Sequence, residues 1–240
     1  MSNQVPAYAM ILAAGRGTRM RPLTDTQPKP MLPVNGQPLI FYHLHKLAAA
    51  GVRHVVINHA WLGNILQQAI GDGGAFGVQV HWSAEPEGGL ETAGGILHAL
   101  PHLGGADFIV VNGDVWSDYD YARLHRLTDS RLGHLVLVDN PVHHPQGDFG
   151  LTADGLNEHI VQKPNPRSPT YTFAGVSVLS TQLFKGHEQG FYKLRPFFER
   201  AIQQQCLSGE HYSGQWCDVG TPERLAQLDA QLRRQNKVGS

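Results

Sequence analysis

One stretch constrains this chain more than any other: an apolar run that ends in Leu12-Ala-Ala-Gly-Arg-Gly-Thr-Arg-Met-Arg-Pro-Leu-Thr24, followed at once by Gln27-Pro-Lys-Pro-Met-Leu-Pro33. A glycine-rich turn after a strand brings backbone N–H groups to the strand's carboxyl end, and Arg16, Arg19, Arg21 and Lys29 add positive charge around it. A chain of this kind can hold a polyphosphate against its main chain. Two familiar glycine loops are excluded. The dinucleotide pattern G-x-G-x-x-G fails because Met20 stands where the third glycine belongs, and the second apolar run ends in Asn58 rather than an acid. The Walker pattern fails because no glycine is followed by the required lysine and hydroxyl pair.

Apolar runs of strand length recur at 8–14, 52–58, 78–82, 108–112 and 134–139. Helical segments fall between them at 38–50, opened by Pro38 and closed before Gly51, at 61–70 before Gly71, and at 92–100, stopped by Pro101. The alternation predicts an α/β fold: a Rossmann-like, doubly wound, mostly parallel mixed sheet with helices on both faces. After Asn140 the pattern changes to shorter strands at 149–151, 159–162 and 172–179, then helices at 195–205 and 222–234. No Pro/Ser linker or charge run divides the 240 residues, so a single domain is expected, with a nucleotide-binding half over about 8–140 and an elaboration over about 141–221.

Composition limits the partners. Nineteen basic residues against 20 acidic ones leave a formal charge of −1, which gives no global field for nucleic acid. No apolar stretch approaches the roughly 18 residues of a membrane span. Cys206 and Cys217 lack zinc-knuckle spacing, and nothing near Met1 reads as a signal peptide, so a cytoplasmic protein with two reduced thiols is expected.

Ligands of open α/β sheets lie outside the carboxyl ends of the strands, which sends both the glycine loop and Asn112-Gly113-Asp114 into one crevice. A second acid, Asp218, ends the short run Trp216-Cys217-Asp218. Two carboxylates delivered to a triphosphate suggest Mg2+, which takes one or two protein carboxylates and completes its shell with phosphate oxygens and water. Attack on a nucleotide phosphorus asks for pre-placed cations, and Arg19 and Lys29 suit that need. A solvated face is the plainer reading of Arg16 and Arg21.

The run LAAGRGTRMRPLT with PKPMLP, then VNGD, QKP at 162–164 and WCDVGT, resembles the sugar-1-phosphate nucleotidylyltransferases in content and order, over almost the whole chain. The segments VNGDVWSDYD, VDNPVHH with GDFGL, and SGEHYSGQWCDVGT are most similar to the branch that joins UTP to an N-acetylated sugar 1-phosphate in cell-wall sugar recycling. The resemblance implies a glycosyltransferase-A-like fold, Mg2+ as cofactor, and UTP and a sugar 1-phosphate as partners. It implies that Arg19, Lys29 and Asp114 are catalytic and that Asp114 and Asp218 bind the metal. Ala13, Ala14, Gly15, Gly17, Thr18, Arg19, Lys29, Glu85, Glu91 and Gly94 would bind the nucleotide, and Asn112, Trp116, Asp148, Gly150, Lys163 and Asp218 the sugar phosphate. Gln162 stands where members often carry glutamate, and Glu91 where guanine-using relatives tend to carry glycine. The expected assembly is a monomer or a simple homodimer.

Other readings remain open. The pairings mannose 1-phosphate with GTP, or glucose 1-phosphate with UTP or dTTP, keep the reaction and change the substrates. Asp118-Tyr119-Asp120 spells the D-x-D of metal-dependent glycosyltransferases, although Asp120 is also placed to cap the next helix. His143-His144 lack a third metal ligand at a recognisable spacing. A non-catalytic nucleotide-sugar sensor would have no need of the full set of Arg19, Lys29, Asp114 and Asp218.

Overall fold

The first apolar run forms strand β1 (Tyr8–Leu12), and its side chains alternate between two cores: Ala9 and Ile11 face one, Met10 the other, all fully buried. The computed structural model describes residues 4–104, 107–153, 159–165 and 168–238. Along the chain follow β2 (Pro33–Val34), β3 (Gln37–Pro38), helix α1 (Leu39–Ala49), β4 (His54–His59), α2 (Gly63–Ile70), β5 (Gln79–Ala84), α3 (Glu91–Ala99), β6 (Asp107–Asn112) and β7 (Val115–Ser117). Next come β8 (Gly133–Val138), β9 (Phe149–Ala153), β10 (His159–Gln162), β11 (Thr170–Ser180), α4 (Arg195–Gln203), β12 (Leu207–Tyr212), β13 (Trp216–Asp218) and α5 (Pro222–Val238). Among the described residues no helix is long and apolar enough to cross a membrane.

Nine strands make one mixed sheet in the order β5-β4-β1-β6-β11-β8-β12-β10-β9. The neighbours β5, β4, β1 and β6 are parallel, as are β8 and β12, whereas β11 runs antiparallel to β6 and β8. Helices cover both faces. Leu44 and Leu47 of α1 and Leu66 and Ile70 of α2 pack on Ala9, Ile11, Val55 and Ile57. Ala93, Ile96 and Leu97 of α3 and Phe197, Phe198 and Ala201 of α4 pack on Met10, Val56 and Val110. The strands buried on both faces are therefore the ones that read as unbroken apolar runs.

A third, smaller core unites distant parts of the chain: Met20 and Leu32 from the glycine-loop region, Trp116 and Val219 from β7 and the turn after β13, and Leu228 and Leu232 from α5. Full burial of one such side chain contributes about 1.5–3 kcal/mol. The C-terminal helix thereby clamps the segment that carries Arg19 and Lys29, and its Asp229 accepts a hydrogen bond from the Asn35 backbone at 2.7 Å.

Four strands depart from the sequence expectation. Strand β12 is not among the strands expected from the sequence, and a glycine in its middle weakens the strand signal: a Cβ on Gly209 would lie 2.9 Å from a Val161 methyl and 3.0 Å from the Leu135 carbonyl oxygen. Strands β7 and β13 are three residues each and exist only as partners of one another. Strand β11 is interrupted between Phe173 and Ser177, where Gly175 adopts φ +73°.

Candidate active site

The chain leaves β1, runs outward through β4 and β5, and returns to β6 on the other side of β1, so the sheet reverses direction between β1 and β6. The loops after these two strands open into one crevice, the usual ligand position in such sheets. They touch: Gly113 donates its N–H to the Leu12 carbonyl at 2.9 Å, and a Cβ on Gly113 would stand 2.8 Å from that oxygen. Glycine is needed there for close approach.

The crevice is a cleft of about 850 Å³. It is lined by Ala13, Ala14, Gly15, Arg16, Lys29, Asn112 and Asp114 together with Asn58, Trp61, Glu85, the 87–92 turn and Phe191. Nothing lies within 4 Å of a Cβ built on Gly15, so the main chain there is open to a ligand. Gly17 is different. Its φ of +67° is left-handed and its hydrogen side packs on Thr24, whose hydroxyl donates to the Gly17 carbonyl at 2.7 Å. Thr18 and Arg19 are exposed, and Arg19 forms no hydrogen bond or ion pair among the described residues.

Lys29 is buried at 8% exposure, and its Nζ lies 2.5 Å from Asp114 Oδ2. Arg16 is more than a solvated cation. Its guanidinium stacks 3.6 Å from the Trp61 ring centroid and donates to the Thr24 carbonyl at 2.8 Å, and it forms part of the cleft wall. Arg21 pairs with Asp25 at 3.2 Å and faces solvent.

A relay of hydrogen bonds braces the cleft wall. Ala13 N–H donates to Asn58 Oδ1 at 2.7 Å, Asn58 Nδ2 donates to Glu85 Oε1 at 2.6 Å, and Leu90 N–H donates to Glu85 Oε2 at 2.8 Å. Each bond to the carboxylate is worth about 1.5–3 kcal/mol. A Cβ on Gly95 would overlap the Glu85 carboxylate, so the glycine of α3 leaves room for the relay. Glu85 thus holds the wall in shape. Asn58 was legible as a polar residue ending an apolar strand, but its link between the two loops was not. Glu91 opens α3 with φ +60°, a conformation that costs a non-glycine residue about 1–2 kcal/mol.

Asp114 and Asp218 meet through the backbone. Asp218 stands opposite Val115 in the β7–β13 pair, and Val219 donates its N–H to the Asp114 carbonyl at 2.8 Å. Asp218 does not line the cleft. Its carboxylate takes Arg224 Nη1 at 2.6 and 2.8 Å and faces His143 Nε2 at 3.1 Å. The backbones adjoin, while the Asp114 carboxylate pairs with Lys29 in the cleft wall and the Asp218 carboxylate with Arg224; each supplies hard oxygen donors of the kind a divalent cation takes alongside phosphate and water. They do not make an all-protein cage: among the described residues no group of three or more His, Cys, Asp or Glu is arranged to hold a metal ion. Burial and the neighbouring Asp218 push the Cys217 thiol up to about 11, which removes it as a nucleophile at neutral pH.

Several expected contacts lie elsewhere. Trp116 is 8% exposed inside the third core, in edge contact with Tyr42, because β7 turns it toward α5; it does not line the cleft. Gly94 is buried in α3, its N–H is given to the Tyr192 carbonyl at 3.1 Å, and the Gly190 carbonyl sits where its Cβ would be; it is closed to a ligand. Asp148 accepts from the Phe173 N–H at 2.8 Å and faces His144 at 3.2 Å, which pins the loop after β8 to β11. Gly150 pairs with Gln162 and Thr170 inside the sheet. Lys163 is exposed beyond β10, outside the cleft wall. Asn112 does line the cleft, with Gly175 packed against its amide. Asp120 caps the following turn through the Ala122 N–H at 2.9 Å, and Asp118 accepts from the Tyr212 hydroxyl, so the D-x-D pair is structurally engaged.

A phosphate-loop cleft on a reversing sheet has counterparts among known proteins. Residues 8–235 match the family model described as "Nucleotidyl transferase". The chain belongs to the nucleotidyl transferase family. This nucleotidyl transferase is 49% identical over 227 residues to the N-acetylmuramate α-1-phosphate uridylyltransferase of Neisseria meningitidis serogroup B, across 92% of the chain and 96% of that protein. It is 30% identical over 241 residues to the protein of that name from Caulobacter vibrioides, across 96% and 98% of the two chains. In fold it is similar to a UDP-glucose pyrophosphorylase solved with UDP-glucose, at a TM-score of 0.76 and 17% identity, across 97% of this chain and 100% of the other.

Proposed function

We propose that this chain transfers UMP from UTP to N-acetylmuramate α-1-phosphate, releasing pyrophosphate, and that it does so in the cytoplasm in cell-wall sugar recycling. The supporting observation is the Lys29–Asp114 pair at the edge of an open glycine loop, in a chain 49% identical to a protein named for that activity. An oxygen of the sugar phosphate attacks the α-phosphorus of UTP; the new P–O bond forms as the bond to the β-phosphate oxygen breaks, and pyrophosphate leaves. The attacking phosphate is already ionised at neutral pH, so no general base is required. Backbone N–H groups near Gly15 receive phosphate oxygens, Lys29 supplies a charge beside the phosphorus, and exposed Arg19 supplies another toward the leaving group. Asp114 and Asp218 would hold Mg2+, which would supply positive charge to offset that of the phosphates. The Ala13–Asn58–Glu85 relay keeps the loop and the base-side wall in register.

The deciding experiment supplies Mg2+, one nucleoside triphosphate at a time and a panel of sugar 1-phosphates, and measures pyrophosphate. Release is expected with UTP and N-acetylmuramate 1-phosphate. Release only with GTP and mannose 1-phosphate removes the assignment, and no release with any pair removes the reaction.

A further inference from the structure

Arg224 stands in the first turn of α5 with a side chain only 17% exposed, and a single nitrogen does all its bonding. Nη1 meets both Asp218 oxygens at 2.6 and 2.8 Å and His143 Nε2 at 2.6 Å, while Nε and Nη2 have no hydrogen-bond partner among the described residues. Nη2 lies over Gly220, where a Cβ would overlap it. Two donors on one edge of a planar fork are therefore free, and that edge is the one that matches a carboxylate with two parallel bonds. His143 sits beside it, half exposed, next to Val142 at 98% exposure.

The placement gives the free edge a use. Asp114 lines the cleft together with the loops after β1 and β5, and Asp218 with Arg224, outside that lining, is joined to Asp114 through the β7–β13 pair and the Val219 N–H. A sugar whose 1-phosphate sat beside Lys29 and Asp114 and whose ring extended away from the glycine loop would approach that group. A neutral N-acetylhexose has no group that calls for a guanidinium there. N-acetylmuramate is N-acetylglucosamine with a lactyl ether, and the lactyl carboxylate is such a group.

We infer that Arg224, with His143 beside it, reads the carboxylate of the acidic sugar and so selects it over the neutral sugar; the inference rests on the reaction proposed above. The test uses R224M, R224K and H143Q with UTP and two acceptors that differ only in the lactyl group, N-acetylmuramate 1-phosphate and N-acetylglucosamine 1-phosphate. A second readout is equilibrium binding of the two corresponding UDP-sugars by calorimetry. Loss of two hydrogen bonds to a charged group lowers the kcat/KM ratio of acidic to neutral sugar by about 100-fold in R224M, chiefly through KM, and the ratio of product affinities by a similar factor. R224K retains the charge and loses less, and H143Q shifts the ratio by about 3- to 10-fold. If both sugars fall by the same factor and both ratios stay fixed in all three variants, Arg224 acts only through Asp218 and the inference is overturned. Wild-type protein that turns over neither sugar overturns the reaction itself, a result that no change of ratio resembles.

Discussion

The two halves of this molecule hold their ligand groups by different means. Around β1, β4, β5 and β6 the strands are parallel and apolar, and the groups of the glycine loop that face the cleft are largely backbone: an open Gly15 and Ala13, whose N–H the distant Asn58 holds. Around β7 to β13 most pairings are antiparallel, and the groups near Asp218 come from two distant segments, His143 after β8 and the stretch from Asp218 on β13 to Arg224 on α5, joined by ion pairs. Phosphate is common to every nucleotide, so main-chain donors at a strand end suffice. A particular sugar differs from others by one substituent, and reading it takes side chains that only the closed fold assembles.

The largest effect should come where the halves meet. Asp114→Asn keeps the shape and removes the charge that pairs with Lys29, and kcat should fall about 10²- to 10³-fold with little change in melting temperature. Asp218→Asn should behave likewise, and near-normal turnover in either variant breaks the view that one centre spans the two halves. Leu228→Ala opens the third core, which ties α5 to the glycine-loop region, and should destabilise the protein by about 2–4 kcal/mol in denaturant titration. An unchanged midpoint would show that α5 clamps nothing.

Gly95→Ala drives a methyl into the Glu85 carboxylate and sharpens the contrast, since it disturbs the nucleotide half alone. The KM for UTP should rise about 10-fold while the KM for the sugar phosphate stays put, with about 1–3 kcal/mol of stability lost. The smallest effect concerns pH. Burial, helped by Lys46, lowers the His43 imidazole to about 4, and its Nδ1 bonds the Tyr121 hydroxyl at 2.8 Å. The unfolded imidazole takes up a proton near its ordinary value of about 6.5 and the buried one refuses it, so this contribution is complete above about pH 6.5 and declines toward about pH 4. The slope is at most about 1.4 kcal/mol per pH unit. His43→Gln should flatten the acid limb of a stability-versus-pH curve; an identical slope would show that other histidines set it.

Much of the nucleotide half was legible because its signals are local. Doubly buried strands read as apolar runs, Pro38 and Gly51 punctuate α1, and the glycine loop announces its own turn. Near the sugar end the signals fail for reasons of distance. Trp116 sits two positions beyond Asp114 and was expected at the sugar, yet strand alternation and a helix 106 or more residues away by number draw it into a core. Gly94 read as a nucleotide contact, and only the packed 190–192 segment reveals that its amide is already used. Arg224 carries no motif of its own, and nothing local marks it as the partner of His143, which is far from it in the chain.

The sequence by itself determined the alternation of the main strands and helices, the glycine-rich turn with its cations, and the two acids at strand ends, since each depends on residues within a turn or a strand of one another. Tertiary structure alone decided which side chains share the cleft, that Asp114 and Asp218 are joined by a three-residue strand pair, and that Arg224 keeps an unused edge beside them. Those outcomes depend on burial and on pairing between segments far apart in the chain, and neither periodicity nor spacing encodes them.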